Sequence, residues 1–405
     1  MLKAAGVAAA ASAGLPLLAA TTLVTLDWLN QGKRGQRKAP DPGTFQTEVE
    51  DSDLRVYTSG SAMYDDSIAA IDSAQRTVYL KAYIWKNDEV GQRFMDAVNR
   101  AAERGVAVFV LYDGFANLVV PRSFYRQFSP RVRVYRMPAL VRPYWKGPLR
   151  QTGVNHSKIL VVDDHVGFVG GYNIGSLYAD QWRDTHVRVI GPQVWGLQHA
   201  MARTWNEVHP PELQIPWIPP RSWESTVEVV ANLPVQLVYP IRQMYLNAID
   251  RAQSRIWLTT PYFIPDQQIL GALISASRRG VDVRIMLPKE SNHIVGDWVS
   301  AGFFGQLLRS GVTLLLFRSS MLHAKTATID GVWSTVGTAN IDRLSLSFSY
   351  ETNLEVIDRR FADQMETMFN KDSEHCEILA SPEWSRRHPL ARALEVALIP
   401  LRPIL

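Results

Sequence analysis

Apolar and polar positions along the chain follow one pattern that occurs twice. The segment Ala70-Ile71-Asp72-Ser73-Ala74-Gln75 returns as Ala248-Ile249-Asp250-Arg251-Ala252-Gln253. After each copy comes an aromatic and β-branched run, Val78 to Trp85 or Ile256 to Ile264, whose composition suits a buried strand. A helical stretch then ends at Arg104-Gly105 or Arg279-Gly280, and a second strand-like run follows, Val106 to Tyr112 or Val281 to Leu287. Helix, strand, helix, strand is the order of an α/β layered unit. The pattern therefore predicts two related lobes, each a mixed β-sheet flanked by helices.

The repetition is strict further on, where residues 156–189 align with 323–356 at a constant offset of 167. His156 matches His323, Lys158 matches Lys325, Asp163 matches Asp330, Gly170 matches Gly337, Asn173 matches Asn340, and Asp184 matches Glu351. Five prolines between Pro210 and Pro220 interrupt the pattern and mark a linker. The expected organisation is a first lobe over 51–209, a Pro-rich linker over 210–223 and a second lobe over 224–378.

Outside the lobes, Ala4 to Leu26 carries no charge, and 23 helical residues at about 1.5 Å each would cross a hydrocarbon core of roughly 30 Å. Residues 1–30 are therefore expected to be an N-terminal membrane anchor, with a cleaved signal peptide ending near Leu18-Ala19-Ala20 as the competing reading. The basic linker over 31–50 holds Lys33, Arg34, Arg37 and Lys38 against Lys3 alone on the other side, which places the lobes at the cell membrane facing the cytoplasm. At the far end, residues 379–405 mix arginines with leucines and valines. That mixture suits an amphipathic segment on anionic headgroups, or a strap packed over the fold.

With 46% hydrophobic and 20% charged residues the chain folds, and its single cysteine, Cys376, excludes an intrachain disulfide and a cysteine-based zinc site. The net charge of +4 is concentrated: residues 114–162 contain no Asp or Glu, and Arg122 to Arg150 holds eight basic side chains among six aromatic ones. Such a surface suits anionic lipid, or nucleic acid, or is simply a solvated basic loop.

Each lobe carries His-x-Lys, four intervening residues, then Asp. Alternation along Asn155 to Asp163 would put His156 and Lys158 on one face of a strand, where both can address one ligand. Lysine supplies a point charge for phosphate, and histidine acts as nucleophile or proton donor, so two facing motifs suffice for phosphodiester exchange without a metal or other cofactor. Asn173 and Asn340 can donate to nonbridging oxygens, and the small residues before them leave room for close backbone approach. A carboxylate from Asp184 or Glu351, each 28 residues after its histidine, could fix the imidazole tautomer.

These paired motifs, with Gly-Gly-Tyr-Asn173 and Gly-Thr-Ala-Asn340 behind them, resemble the phospholipase D superfamily. The anchor and Trp182-Arg183-Asp184-Thr185-His186 resemble its bacterial cardiolipin synthases. The resemblance covers roughly residues 45–380. It implies an active site at the lobe interface and a covalent phosphohistidine, with His156 as nucleophile and His323 as general acid. Lys158, Lys325, Asn173 and Asn340 would hold the phosphate, Asp184 and Glu351 would orient the histidines, and Asp163 and Asp330 would be mainly structural. The substrate implied is phosphatidylglycerol, with no nucleic acid expected. Relatives often have Arg where this chain has Ser157, which puts headgroup contacts there in question.

Hydrolysis of phospholipid to phosphatidic acid uses the same motifs, as does a nuclease, while a scaffold that had lost catalysis would not need both motifs complete. His165 and His186 lack a lysine two residues on and read as structural. Glu374-His375-Cys376-Glu377 reads as solvated surface rather than a metal site. Asp113 and Gly114 sit where α/β sheets bind ligands.

Overall fold

The computed structural model describes residues 19–25, 38–138, 154–216 and 225–402. Two eight-stranded mixed sheets with flanking helices form the two α/β lobes. In the first lobe the strand order is Phe45–Val49, Ser52–Tyr57, His186–Ile190, Val166–Gly170, Ile159–Val162, Thr77–Ala82, Ala107–Tyr112 and Arg133–Arg136. In the second it is Val227–Ala231, Thr352–Ile357, Trp333–Gly337, Thr326–Ile329, Arg255–Thr259, Asp282–Pro288, Thr313–Phe317 and Cys376–Ile378. Thr77–Ala82 runs parallel to Ala107–Tyr112 and antiparallel to Ile159–Val162, and Arg255–Thr259 repeats both relations with Asp282–Pro288 and Thr326–Ile329.

Local sequence explains these elements. Helix Glu89–Glu103 starts where Asp88 accepts the Gly91 N–H, and helix Gln267–Arg278 starts where Asp266 accepts from Gln268 and Ile269. Both stop at a glycine, Gly105 or Gly280, each with φ of +93°, a left-handed conformation that side chains with a Cβ resist. The first lobe's sheet begins earlier than 51: Phe45–Val49 forms a hairpin with Ser52–Tyr57 and takes an edge that the predicted linker boundary left out.

The lobes share a core. Val169, Val187, Leu197, Met201 and Trp205 of the first pack in one buried cluster with Val336, Leu354, Phe361, Met365 and Met368 of the second. Contiguous apolar burial of this kind holds the lobes as one body.

The predicted anchor lies largely outside the described residues. Its 19–25 part is helical, with Ala19 and Leu23 buried against the second lobe. Among the described residues no helix is long and apolar enough to cross a membrane. Residues 139–150 of the basic and aromatic cluster over Arg122 to Arg150, and residues 217–224 of the Pro-rich linker, also fall outside the described residues.

Candidate active site at the lobe interface

The strands of the two motifs do not begin at the histidines. Ile159–Val162 and Thr326–Ile329 start after the lysines, leaving His156 to Lys158 and His323 to Lys325 as extended lead-ins. The reason lies across the interface, where the lead-ins pair with the other lobe. His156 N–H donates to the Tyr350 carbonyl at 3.0 Å, and His323 N–H donates to the Arg183 carbonyl at 2.7 Å. Met321–Leu322 runs parallel to Trp182–Arg183, and Asn155 bridges to Tyr350 in the symmetry-related way.

Tyr350 and Arg183 directly precede Glu351 and Asp184, so this pairing exchanges the carboxylates. His156 Nδ1 lies 3.0 and 3.1 Å from the two Glu351 oxygens, and His323 Nδ1 lies 2.5 Å from Asp184 Oδ2. Spacing alone associates each carboxylate with the histidine of its own lobe; in the fold each serves the histidine of the other.

The remaining charges converge on the same place. Lys158 Nζ donates to the His156 carbonyl at 2.6 Å, while Lys325 Nζ lies 2.9 Å from His323 Nδ1 and also donates to the His323 carbonyl. The imidazole, amine and carboxylate of each set are buried or nearly so. Burial lowers Lys158 to about 7 and Lys325 to about 8, with Glu351 and Asp184 partly opposing it. Burial, then the neighbouring lysines, holds His156 well below the usual imidazole range and His323 at about 3. Burial raises Glu351 to about 8 against the pull of Lys158, whereas Lys325 and His323 overcome burial to keep Asp184 below the usual carboxylate range. His156 senses Lys325 and Asp184, and His323 senses Lys158, so both lobes contribute to a single electrostatic cluster.

The room left by small residues serves the carboxylates. A Cβ on Gly171 would lie 2.0 Å from Asp184 Oδ1. The equivalent position in the second lobe is Thr338, whose hydroxyl instead donates to Glu351. Asn173 and Asn340 are both buried; Asn173 Oδ1 accepts the Ile84 N–H at 3.3 Å, and Asn340 Oδ1 has no hydrogen-bond partner among the described residues.

Asp163 and Asp330 are not brought to the histidines. Each sits beyond the far end of its strand with φ of +52° or +54°. Asp163 accepts the N–H groups of Gln75, Arg76 and Thr77, and Asp330 those of Gln253, Ser254 and Arg255. The third letter of the motif therefore fastens a neighbouring strand. Ser157 Oγ is 3.1 Å from Thr352 Oγ1 across the interface, so its side chain joins the lobes.

Further side chains surround these groups. Tyr83 stands edge-on to the His156 ring at 4.7 Å, with Lys158 Nζ 4.9 Å over its face, and Trp182 lies 5.0 Å from His323. Asp113 accepts the Asn155 N–H at 2.9 Å and so positions the residue before His156. Arg183 makes a fully buried two-pronged ion pair with Asp372 of the second lobe, at 2.9 and 2.6 Å. His186 is buried against Tyr172 and lowered by burial to about 3. Among the described residues no three His, Cys, Asp or Glu side chains are grouped to hold a metal ion.

Lys81 is a further buried amine. Its Nζ donates to Thr204 Oγ1 at 2.9 Å and sits 5.3 Å over the Tyr350 ring, and burial lowers it to about 7. An unfolded lysine binds a proton near 10.4. The folded state lacks that proton between the two values, so this site's contribution to stability rises with pH across that window. Lys81→Met is expected to raise the unfolding temperature at pH 7.5, as measured by differential scanning fluorimetry, in line with a stabilisation on the order of 1–4 kcal/mol.

Two lobes that exchange histidine–carboxylate dyads across a shared core define a phospholipase D-type enzyme. Both halves match the family model described as cardiolipin synthase, PLD-like domain, over residues 67–208 and 245–373, and the chain belongs to that family. It is similar to the cardiolipin synthase of Listeria innocua, 30% identical over 340 residues, covering 80% of this chain and 69% of the relative. It is also similar to cardiolipin synthase A of Pseudomonas putida strain W619, 34% identical, covering 83% and 71%. The crystal structure of phosphatidylserine synthase from Haemophilus influenzae shares the fold, with a TM-score of 0.68 at 15% identity over 89% of this chain and 95% of that one.

Proposed function

We propose that this chain is a membrane-associated phosphatidyltransferase that joins two phosphatidylglycerol molecules into cardiolipin and releases glycerol. The pair of exchanged dyads carries this reading, because one imidazole must attack phosphorus while a second manages the proton of the alcohol. An Nδ1 held by a carboxylate leaves Nε2 of each ring for chemistry. In the scheme, His156 Nε2 forms a bond to phosphorus as the bond to the glycerol oxygen breaks, and His323 delivers the proton to that oxygen. The hydroxyl of a second phosphatidylglycerol then gives its proton to His323 and attacks, breaking the phosphorus–histidine bond.

Lys158 and Lys325 supply the positive charge for the nonbridging oxygens, with Asn173 and Asn340 beside them as neutral donors. The arriving phosphodiester anion favours the protonated lysines and raises the proton affinity of His323. The lobes are read as lying at the cytoplasmic face of the cell membrane, in keeping with the uncharged run and the basic residues that follow it.

Incubating the purified protein with phosphatidylglycerol tests the assignment. Cardiolipin and glycerol in equal amounts support it, phosphatidic acid would make the enzyme a hydrolase, and cleavage of added short DNA in place of either would make it a nuclease. Because the two amines lose charge above about 7 and about 8, kcat/KM for phosphatidylglycerol is expected to fall on the alkaline side, by roughly tenfold per pH unit or more once both are neutral.

A further inference from the structure

Helix Pro389–Leu398 packs on helix Ile294–Arg309 of the second lobe, with Leu394 and Leu398 turned into its core and Arg387 holding the buried Glu395. The opposite side of this helix carries apolar residues as well, with Arg392 among them. Leu390 is 63% and Val396 64% exposed, Ala393 lies exposed between them, and Ile399 at the next turn is 44% exposed. An amphipathic helix that needed only to strap the lobe would present polar residues there.

The neighbourhood of this face says what covers it. The 19–25 helix packs into the same core cluster through Ala19 and Leu23, and it exposes Val24. The chain preceding it, Ala4 to Leu18, has no charged residue. Within 386–402 the charged side chains left exposed are Arg386 and Arg392, both positive. Helix Ile294–Arg309 reaches from this region to the active site. Its N-cap residue His293 lies 5.4 Å from the Tyr262 ring, which is in turn 6.5 Å from the ring of His323. A face of a few side chains is far below the roughly 800 Å² per partner of a stable protein interface. Apolar groups bordered by arginine match an anionic bilayer surface.

We propose that Leu390, Val396 and Ile399 dock onto the surface of an anionic bilayer and set the active-site mouth against it. The occupant follows from the lipid substrate proposed above, and the docking is measurable apart from turnover. In the full-length protein, Leu390→Glu with Val396→Glu is expected to cut turnover of phosphatidylglycerol in vesicles by about tenfold or more. Turnover of monomeric short-chain phosphatidylglycerol stays unchanged. Equal rates for the variant and the parent protein on both substrates would overturn the docking face.

Should neither protein turn over either lipid, the proposed activity falls while docking is still read directly. An environment-sensitive dye on Leu390→Cys, in a Cys376→Ser background, is expected to shift to the blue when phosphatidylglycerol-containing vesicles are added. No shift, or a blue position already present without vesicles because another part of the chain or a second copy covers the face, contradicts the proposal.

Discussion

His156→Ala and His323→Ala each lower phosphatidyl transfer by at least about four orders of magnitude, because neither nucleophilic attack nor proton delivery has a substitute within the cluster. The loss is expected in kcat, measured as cardiolipin formed under saturating lipid, with the unfolding temperature little changed. Each imidazole is held by a carboxylate and flanked by an aromatic ring, and truncation to alanine leaves the backbone bonds of both lead-ins in place. Glu351→Gln and Asp184→Asn are gentler probes of the same dyads. If the exchange between lobes matters, Glu351→Gln perturbs the His156 step and Asp184→Asn the His323 step. A rate for either histidine variant within tenfold of the parent protein would exclude a two-histidine mechanism.

The second large effect is on stability. Arg183 and Asp372 face each other out of water, and Arg183 also donates to the Asp184 carbonyl and to Thr185 Oγ1. Removing one partner strands a buried charge, at a cost of about 3–5 kcal/mol. Asp372→Ala and Arg183→Met are therefore expected to shift the denaturant midpoint strongly. Arg183→Met combined with Asp372→Leu should recover most of that loss, since no lone charge then remains. The double variant is still expected to be slow, because the Asp184 carbonyl loses its donor and the His323 dyad loses its support. Single variants as stable as the parent protein would mean that the pair does not hold the lobes.

The repeat was legible because it is written in residue identity at a fixed offset. It was enough to place both motifs, both asparagines and both carboxylates in two matching lobes. The pairing of carboxylate to histidine was not legible, since each partner lies about as far away in sequence as the other lobe, and only the bridges at Tyr350 and Arg183 bring them together. Alternation likewise carried the motif strands back to Asn155, because a lead-in paired with another lobe has the same side-chain period as a strand in its own sheet.

Gly171 reads as room for close backbone approach, yet the group that fills the space is Asp184, a contact thirteen residues away that no local rule announces. Arg183 sits in a segment that the sequence singles out, but its partner Asp372 belongs to helix Arg359–Ser373 of the other lobe, and no local pattern announces the pair. The last helix was equally open to two readings, a strap or a lipid contact, because its mixture of arginines with leucines and valines suits both.

The most direct test of the account is to quench the protein in alkali during turnover of phosphatidylglycerol and map the modified peptide by mass spectrometry. A phosphatidyl group on His156, formed and consumed at the rate of cardiolipin synthesis, is the predicted result. Turnover with no adduct on either His156 or His323 would contradict it.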